Sequence, residues 1–137
     1  MKKFILILIA FLLILSGCNA SKKQFLDIIE GNVAKIVSQS DTAYPNKIVT
    51  YATDDKEMID LFLRKMQSMS FEKTDKSSSV FNDTFELYDE NNTKIATIVF
   101  TGEDIATINN IRYKISEVYL RQFTDVFYTD KYLIKKK

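Results

Sequence analysis

The clearest pattern in the chain is helical. Ile59, Phe62, Leu63, Met66 and Met69 follow one another at spacings of 3, 1, 3 and 3, while Asp60, Arg64, Lys65 and Gln67 take the other side. That arrangement predicts an amphipathic α-helix with one apolar face. Asp54 stands where an N-cap is needed, and Glu57, three residues on, can reach back to it as in a capping box. The methionines could line an adaptable binding groove, but at this spacing they read as core.

Elsewhere the period is two. Residues 33–39 (VAKIVSQ) and 47–53 (KIVTYAT) are short and β-branched, with turn-forming residues around Pro45 between them. They predict a hairpin with a long loop; a helix over residues 24–39 is the competing reading. The polar, serine-rich stretch 73–79 predicts a loop, in which Ser77, Ser78 and Ser79 read as solvated. Residues 85–88 alternate, 89–93 form a turn, and 95–100 place Ala96, Ile98 and Phe100 on one face. After a turn at 102–104, residues 105–108 and 111–115 flank Asn109-Asn110. Two asparagines can adopt the positive-φ pair of a two-residue hairpin turn. Ser116 can cap a last helix with Leu120, Phe123 and Phe127 inward. The predicted order is hairpin, helix, about four antiparallel strands, helix. It is an α+β fold: a single two-layer domain with an antiparallel sheet of about five to six strands and two helices.

The beginning of the chain follows neither period. Lys2 and Lys3 precede an unbroken apolar run of 12 residues, 4–15. A helix needs about 20 apolar residues to cross a ~30 Å hydrocarbon core, so this run fits a secretory h-region instead. It ends in Leu15-Ser16-Gly17-Cys18. That stretch resembles the lipobox of bacterial lipoproteins: leucine, two small residues, then cysteine. The resemblance implies cleavage before Cys18, a diacylglyceryl thioether on its sulfur, and a lipid-anchored protein on the extracytoplasmic face of the cell membrane. Two acyl chains give stable anchoring where one is marginal. An uncleaved hydrophobic anchor with an incidental cysteine is the alternative. The expected division is a signal peptide over 1–17, lipidated Cys18 and tether over 18–30, and one α+β domain over 31–137. A flexible tether of that length averages roughly 20 Å end to end and cannot exceed about 40 Å, so the partner is expected at the membrane. The element order, with Asn109-Asn110-Ile111-Arg112-Tyr113-Lys114-Ile115 leading into the last helix, resembles small uncharacterised lipoproteins of Gram-positive bacteria over residues 33–127. That resemblance implies no site.

Composition removes most chemistry. The chain has no His, no Trp and one Cys. Ser-His-Asp and Cys-His catalysis, zinc sites built on His or several Cys, and an internal disulfide are excluded. Three glycines in 137 residues leave no phosphate-cradling loop. Lys+Arg 19 against Asp+Glu 18 gives no field for nucleic acid. Loss of Lys2 and Lys3 would leave 17 basic residues. Five of those are Lys22, Lys23 and Lys135 to Lys137, near the two ends of the mature chain. These read as solvated, with contact to anionic lipid as the alternative.

The remaining candidates are carboxylate pairs and tyrosines. Asp54-Asp55, Asp89-Glu90 and Glu103-Asp104 could serve acid/base chemistry or bind Ca²⁺. All lie at predicted helix starts or turns, where acidic residues cap or solvate, and residues 89–93 lack the glycine and distal glutamate of a calcium loop. No catalytic residue, metal or cofactor is expected. Tyr88 falls on the strand face opposite Phe85 and Leu87, and Tyr128 and Tyr132 follow the last helix; the three are candidates for a partner surface. The expectation is a non-catalytic protein-binding module at the cell surface, such as an immunity, exclusion or accessory factor. A carboxylate-dependent hydrolase of envelope glycans or peptides is the alternative.

Overall fold

The structure is a computed structural model that describes residues 22–40, 48–77, 81–102, 104–116 and 121–134. Residues 1–21, with Cys18 among them, Glu103, Leu120 and Lys135 to Lys137 lie outside the described residues. The chain forms β1 (Lys35–Ser40), β2 (Val49–Thr53), α1 (Lys56–Gln67), β3 (Phe71–Lys73), β4 (Phe81–Tyr88), β5 (Lys94–Thr101), β6 (Ile105–Ile108), β7 (Ile111–Ile115) and α2 (Arg121–Phe127). The strands make one antiparallel sheet in the order β2-β1-β4-β5-β6-β7-β3. The fold is α+β as expected, with seven strands rather than five or six. The additional strand is β3. Its three residues are too few for a period to register, and it exists because Phe71, Glu72 and Lys73 pair with Ile115, Lys114 and Tyr113.

Alternation decides which face carries the core. Val49, Tyr51 and Thr53 of β2, Ile36 and Ser38 of β1, Phe85 and Leu87 of β4, and Ala96, Ile98 and Phe100 of β5 are all buried. The residues between them are only half-buried or exposed. One face is therefore the core and the other is open. The Asn109-Asn110 turn forms as predicted, with φ of 48° and 68°. Asn109 also joins neighbouring strands, its Oδ1 accepting from the N–H of Thr97 at 2.9 Å.

The middle helix forms with two adjustments. Its N-cap is Asp55, not Asp54; Asp55 Oδ1 accepts from the N–H of Glu57 at 3.0 Å. The cap sits one residue later because Thr53 ends β2 and its Oγ1 accepts from the N–H of Asp55 at 3.0 Å. Glu57 has no reciprocal role in this arrangement. The buried stripe is Met58, Ile59, Phe62 and Met66, with Met69 just past the end. Leu63 packs at its margin, and the helix is rolled toward Met58 compared with the predicted face. The last helix is described over Arg121–Phe127, and the turn that Ser116 would cap, residues 117–120, lies outside the described residues. Ser116 ties down the end of β7: its N–H donates to Ser70 O at 3.3 Å, and its Oγ accepts from the Ser70 N–H at 3.1 Å. Phe123 and Phe127 point inward as expected.

The termini of the described chain close the sheet. Lys23 and Phe71 exchange two backbone hydrogen bonds, at 2.9 and 3.1 Å, along the outer edge of β3. Phe25 opens a 3-10 turn (Phe25–Asp27) and is fully buried, as is most of Ile29. The folded body thus already includes residues 23–30, expected in the tether, and the helix considered over 24–39 is this short turn followed by β1. The physical reason is burial: two large apolar side chains in the supposed tether fill the core under α1. At the other edge, Ala52 donates to Tyr132 O and Ile134 donates to Thr50 O, both at 2.9 Å, so residues 132–134 line β2. Both edge strands are covered over part of their length, which limits strand-to-strand aggregation.

Candidate functional site

Two of the six candidate carboxylates, Asp55 and Asp89, are engaged in local structure. Asp55 caps α1. Asp89 Oδ1 accepts from the N–H groups of Asn91 and Thr93, at 2.9 and 2.8 Å, and so holds its own turn. Asp54, Glu90 and Asp104 are exposed. Glu103 is outside the described residues. Among the described residues, no three His, Cys, Asp or Glu side chains are grouped to hold a metal ion.

Asp55 is held below the ordinary carboxylate pKa, first by the Glu57 N–H; partial burial opposes this, and the nearby Lys131 ammonium adds to it. A depressed folded-state value means that the ionised carboxylate favours the fold above the usual carboxylate range. That contribution disappears as pH falls below about 4. Asp55→Asn keeps a capping oxygen but carries no charge. Its thermal midpoint is expected to fall less steeply between neutral and acid pH than that of the parent chain. A differential scanning fluorimetry series across pH checks this, and identical slopes would contradict it.

The three candidate tyrosines occupy different environments. Tyr88 lies on the open sheet face. Its hydroxyl donates to Glu86 Oε2 at 2.7 Å, Lys94 pairs with Glu86 Oε1 at 3.0 Å, and Lys35 Nζ stands 5.5 Å from the ring centroid. The shared proton lowers the Glu86 pKa, with help from Lys94, and raises that of Tyr88. Tyr128 is half-buried. Its ring packs against Tyr51 at 4.8 Å and Phe127 at 5.7 Å. Its hydroxyl donates to Asp83 Oδ1 at 2.9 Å and shares a 2.9 Å hydrogen bond with Ser38 Oγ. Ser38 is buried while Tyr128 and Asp83 are half-buried, and the set joins β1, β4 and the segment after α2.

Tyr132 is a core ring rather than an exposed one. It is 9% exposed, its ring packs tilted against Phe127 at 5.6 Å, and its hydroxyl meets Lys131 Nζ at 2.8 Å and Asp55 Oδ2 at 3.4 Å. The pairing of residues 132–134 with β2 turns it inward. Of the three, only Tyr88 faces away from the helix layer.

A feature that sequence reading missed lies where β3 meets β7. Arg112 Nη1 donates to the carbonyls of Asp75 and Lys76, both at 3.1 Å, and the Thr74 N–H donates back to Arg112 O at 3.1 Å. These bonds hold residues 73–76 beside the Asn109-Asn110 turn. They frame an open depression of about 440 Å³, lined by Lys73, Thr74, Asp75, Asn110, Ile111 and Arg112. Nothing local could reveal it, because its cations come from positions about forty residues apart that only the β3–β7 pairing brings together.

No family model, curated protein or solved structure matches this chain. Among the described residues, no helix is long and apolar enough to cross a membrane.

Proposed function

We propose that this chain is a lipid-anchored extracytoplasmic protein whose role is non-catalytic: it binds another protein at the membrane surface. The observation that carries the reading is the distance between the lipobox-like Leu15-Ser16-Gly17-Cys18 and the fold. Lys23 is already paired to the sheet, so five residue steps separate it from Cys18, and they span at most about 18 Å. A domain held that close meets only partners in, on or just above the membrane. The engagement of Asp55 and Asp89 in a cap and a turn supports the non-catalytic role. Tyr88, with its ring set by Glu86 and Lys35 on the open sheet face, is the candidate contact for that partner.

The test separates placement from chemistry. A long Gly/Ser insertion between Ser21 and Lys22 leaves the Lys23–Phe71 pairing intact but moves the domain outward. It is expected to weaken the phenotype that deletion of the gene uncovers, because effective concentration at the partner falls as the linker lengthens. Asp→Asn or Glu→Gln changes at Asp54, Asp55, Asp89, Glu90, Glu103 and Asp104 should each leave that function within a few-fold. If one of them abolishes it while the protein stays folded and anchored, the reading gives way to the carboxylate-dependent hydrolase.

A further inference from the structure

We propose that the corner of the domain where β3 meets β7 docks on anionic phospholipid headgroups of the membrane that holds the protein. The inference rests on the lipid-anchored reading above and adds an orientation to it.

Position is the first argument. Lys23 pairs antiparallel with Phe71, so Lys22, the residue before it, lies on the Lys73 side of that pairing. With Cys18 within about 18 Å of Lys23, the anchor emerges at this edge and not at the β2 edge, six strands away. Whatever else the domain touches, this corner is the part nearest the lipid.

Charge is the second. Lys22, Lys23, Lys73, Lys76 and Arg112 are all exposed. None has a carboxylate partner among the described residues. The guanidinium of Arg112 is held by two neutral carbonyls, which fix its place without cancelling its charge. Against these stand Asp75 in the same depression and Asp27, which accepts from the Gln24 N–H. Glu72 faces Lys114 across the strand pair, and the two offset each other. The corner keeps a net positive charge on a chain whose acidic and basic residues otherwise nearly balance. The acidic turn at Asp89-Glu90 joins β4 and β5, three to four strands from β3. That is about 15 Å at the spacing of strands, beyond the ~8 Å screening length in physiological salt. The field therefore favours contact through the β3 edge rather than through the whole end of the sheet.

Shape is the third. The depression beside Lys73 and Arg112 is open, with the amide of Asn110 and the side chain of Thr74 as further polar groups. Ile111, 43% exposed, forms its apolar margin. A lipid phosphate among the cations would place Ile111 against the upper part of the acyl region, where an exposed isoleucine gains burial.

The experiment uses the full chain, extracted from bacterial membranes and reconstituted into vesicles. One set is phosphatidylcholine alone and the other contains phosphatidylglycerol. An environment-sensitive dye is attached at Ile111→Cys, at Ser77→Cys beside the depression, or at Ile48→Cys. Ile48 is 71% exposed and lies on the opposite edge and opposite strand end. Headgroup nitroxide lipids are expected to quench the dyes at 111 and 77 several-fold more in anionic than in neutral vesicles. The effect should fade in high salt, and the dye at 48 should show none of it. Lys73→Gln/Lys76→Gln should reduce the quenching several-fold while the circular-dichroism melting curve stays that of the parent. Equal quenching at 48 and 111, or quenching indifferent to phosphatidylglycerol and to the two lysines, would overturn the proposal. Mass spectrometry of the N-terminal peptide reads the anchor separately. An unmodified Cys18 would remove the lipid-anchored reading, while the Lys73- and Lys76-dependence of quenching would still decide whether the corner binds anionic lipid.

Discussion

Replacing Phe62 with alanine is expected to cost roughly 3–5 kcal/mol, the range for emptying a large aromatic site in a packed core. The ring is fully buried. It lies 6.5 Å from Phe25, 5.3 Å from Phe85 and 5.1 Å from Phe123, centroid to centroid. It therefore touches the N-terminal turn, the middle of the sheet and the last helix at once. Removing it leaves a hole bordered by three elements, none of which can close it alone. Domains of this size have a total stability of about 5–15 kcal/mol, so the variant should be largely unfolded in mild urea. Asp60→Ala, on the exposed side of the same helix, should move the urea midpoint by no more than about 0.5 kcal/mol in equivalent stability. Equal shifts for the two variants would refute the packing of α1 described above.

On the lipid-anchored reading proposed above, Cys18→Ser is expected to abolish lipid attachment. A diacylglyceryl thioether needs a thiolate-derived sulfur, and the chain has one cysteine. The serine variant should accumulate as an unprocessed precursor or leave the membrane fraction on carbonate washing. If it is cleaved before residue 18 and survives the wash, the lipobox reading fails, and with it the argument that confines the partner to the membrane surface. Lys23, five residues after Cys18, is paired to the sheet by its own backbone, so the change is expected to leave the urea midpoint of the domain unaltered.

These two results test different levels of the molecule, and the levels differ in how far local sequence could reveal them. The face of α1, the alternation in β5 and the Asn109-Asn110 turn were legible because each is a pattern within about ten residues. A helix buries every third or fourth side chain, a strand every second, and a two-residue turn needs two positive φ values that asparagine tolerates. The exclusions were legible for a simpler reason: a chain without histidine and with one cysteine cannot supply the chemistry those residues carry.

What the tertiary structure alone decided is where distant segments meet. Local pattern placed strands at 33–39 and 85–88, but not that β1 lies between β2 and β4, with Ser38 opposite both Tyr51 and Phe85. That order puts a buried serine hydroxyl within reach of Tyr128, 90 residues on. It also turns Tyr128 and Tyr132 from expected surface rings into parts of a latch. Asp54 and Asp55 are equal candidates for a cap by residue type. The choice fell to Asp55 because the end of β2 fixes where the first helical turn can begin. Phe25 and Ile29 look like part of a tether until the space beneath α1 needs filling. The basic corner is the extreme case. Lys23, Lys73 and Arg112 share no local pattern, and their proximity follows from two backbone pairings, Lys23 with Phe71 and β3 with β7. Periodicity reports which face of an element avoids water. It carries no information about which other element covers that face or pairs with that edge, because that choice is settled by the fit of side chains and hydrogen bonds far apart along the chain.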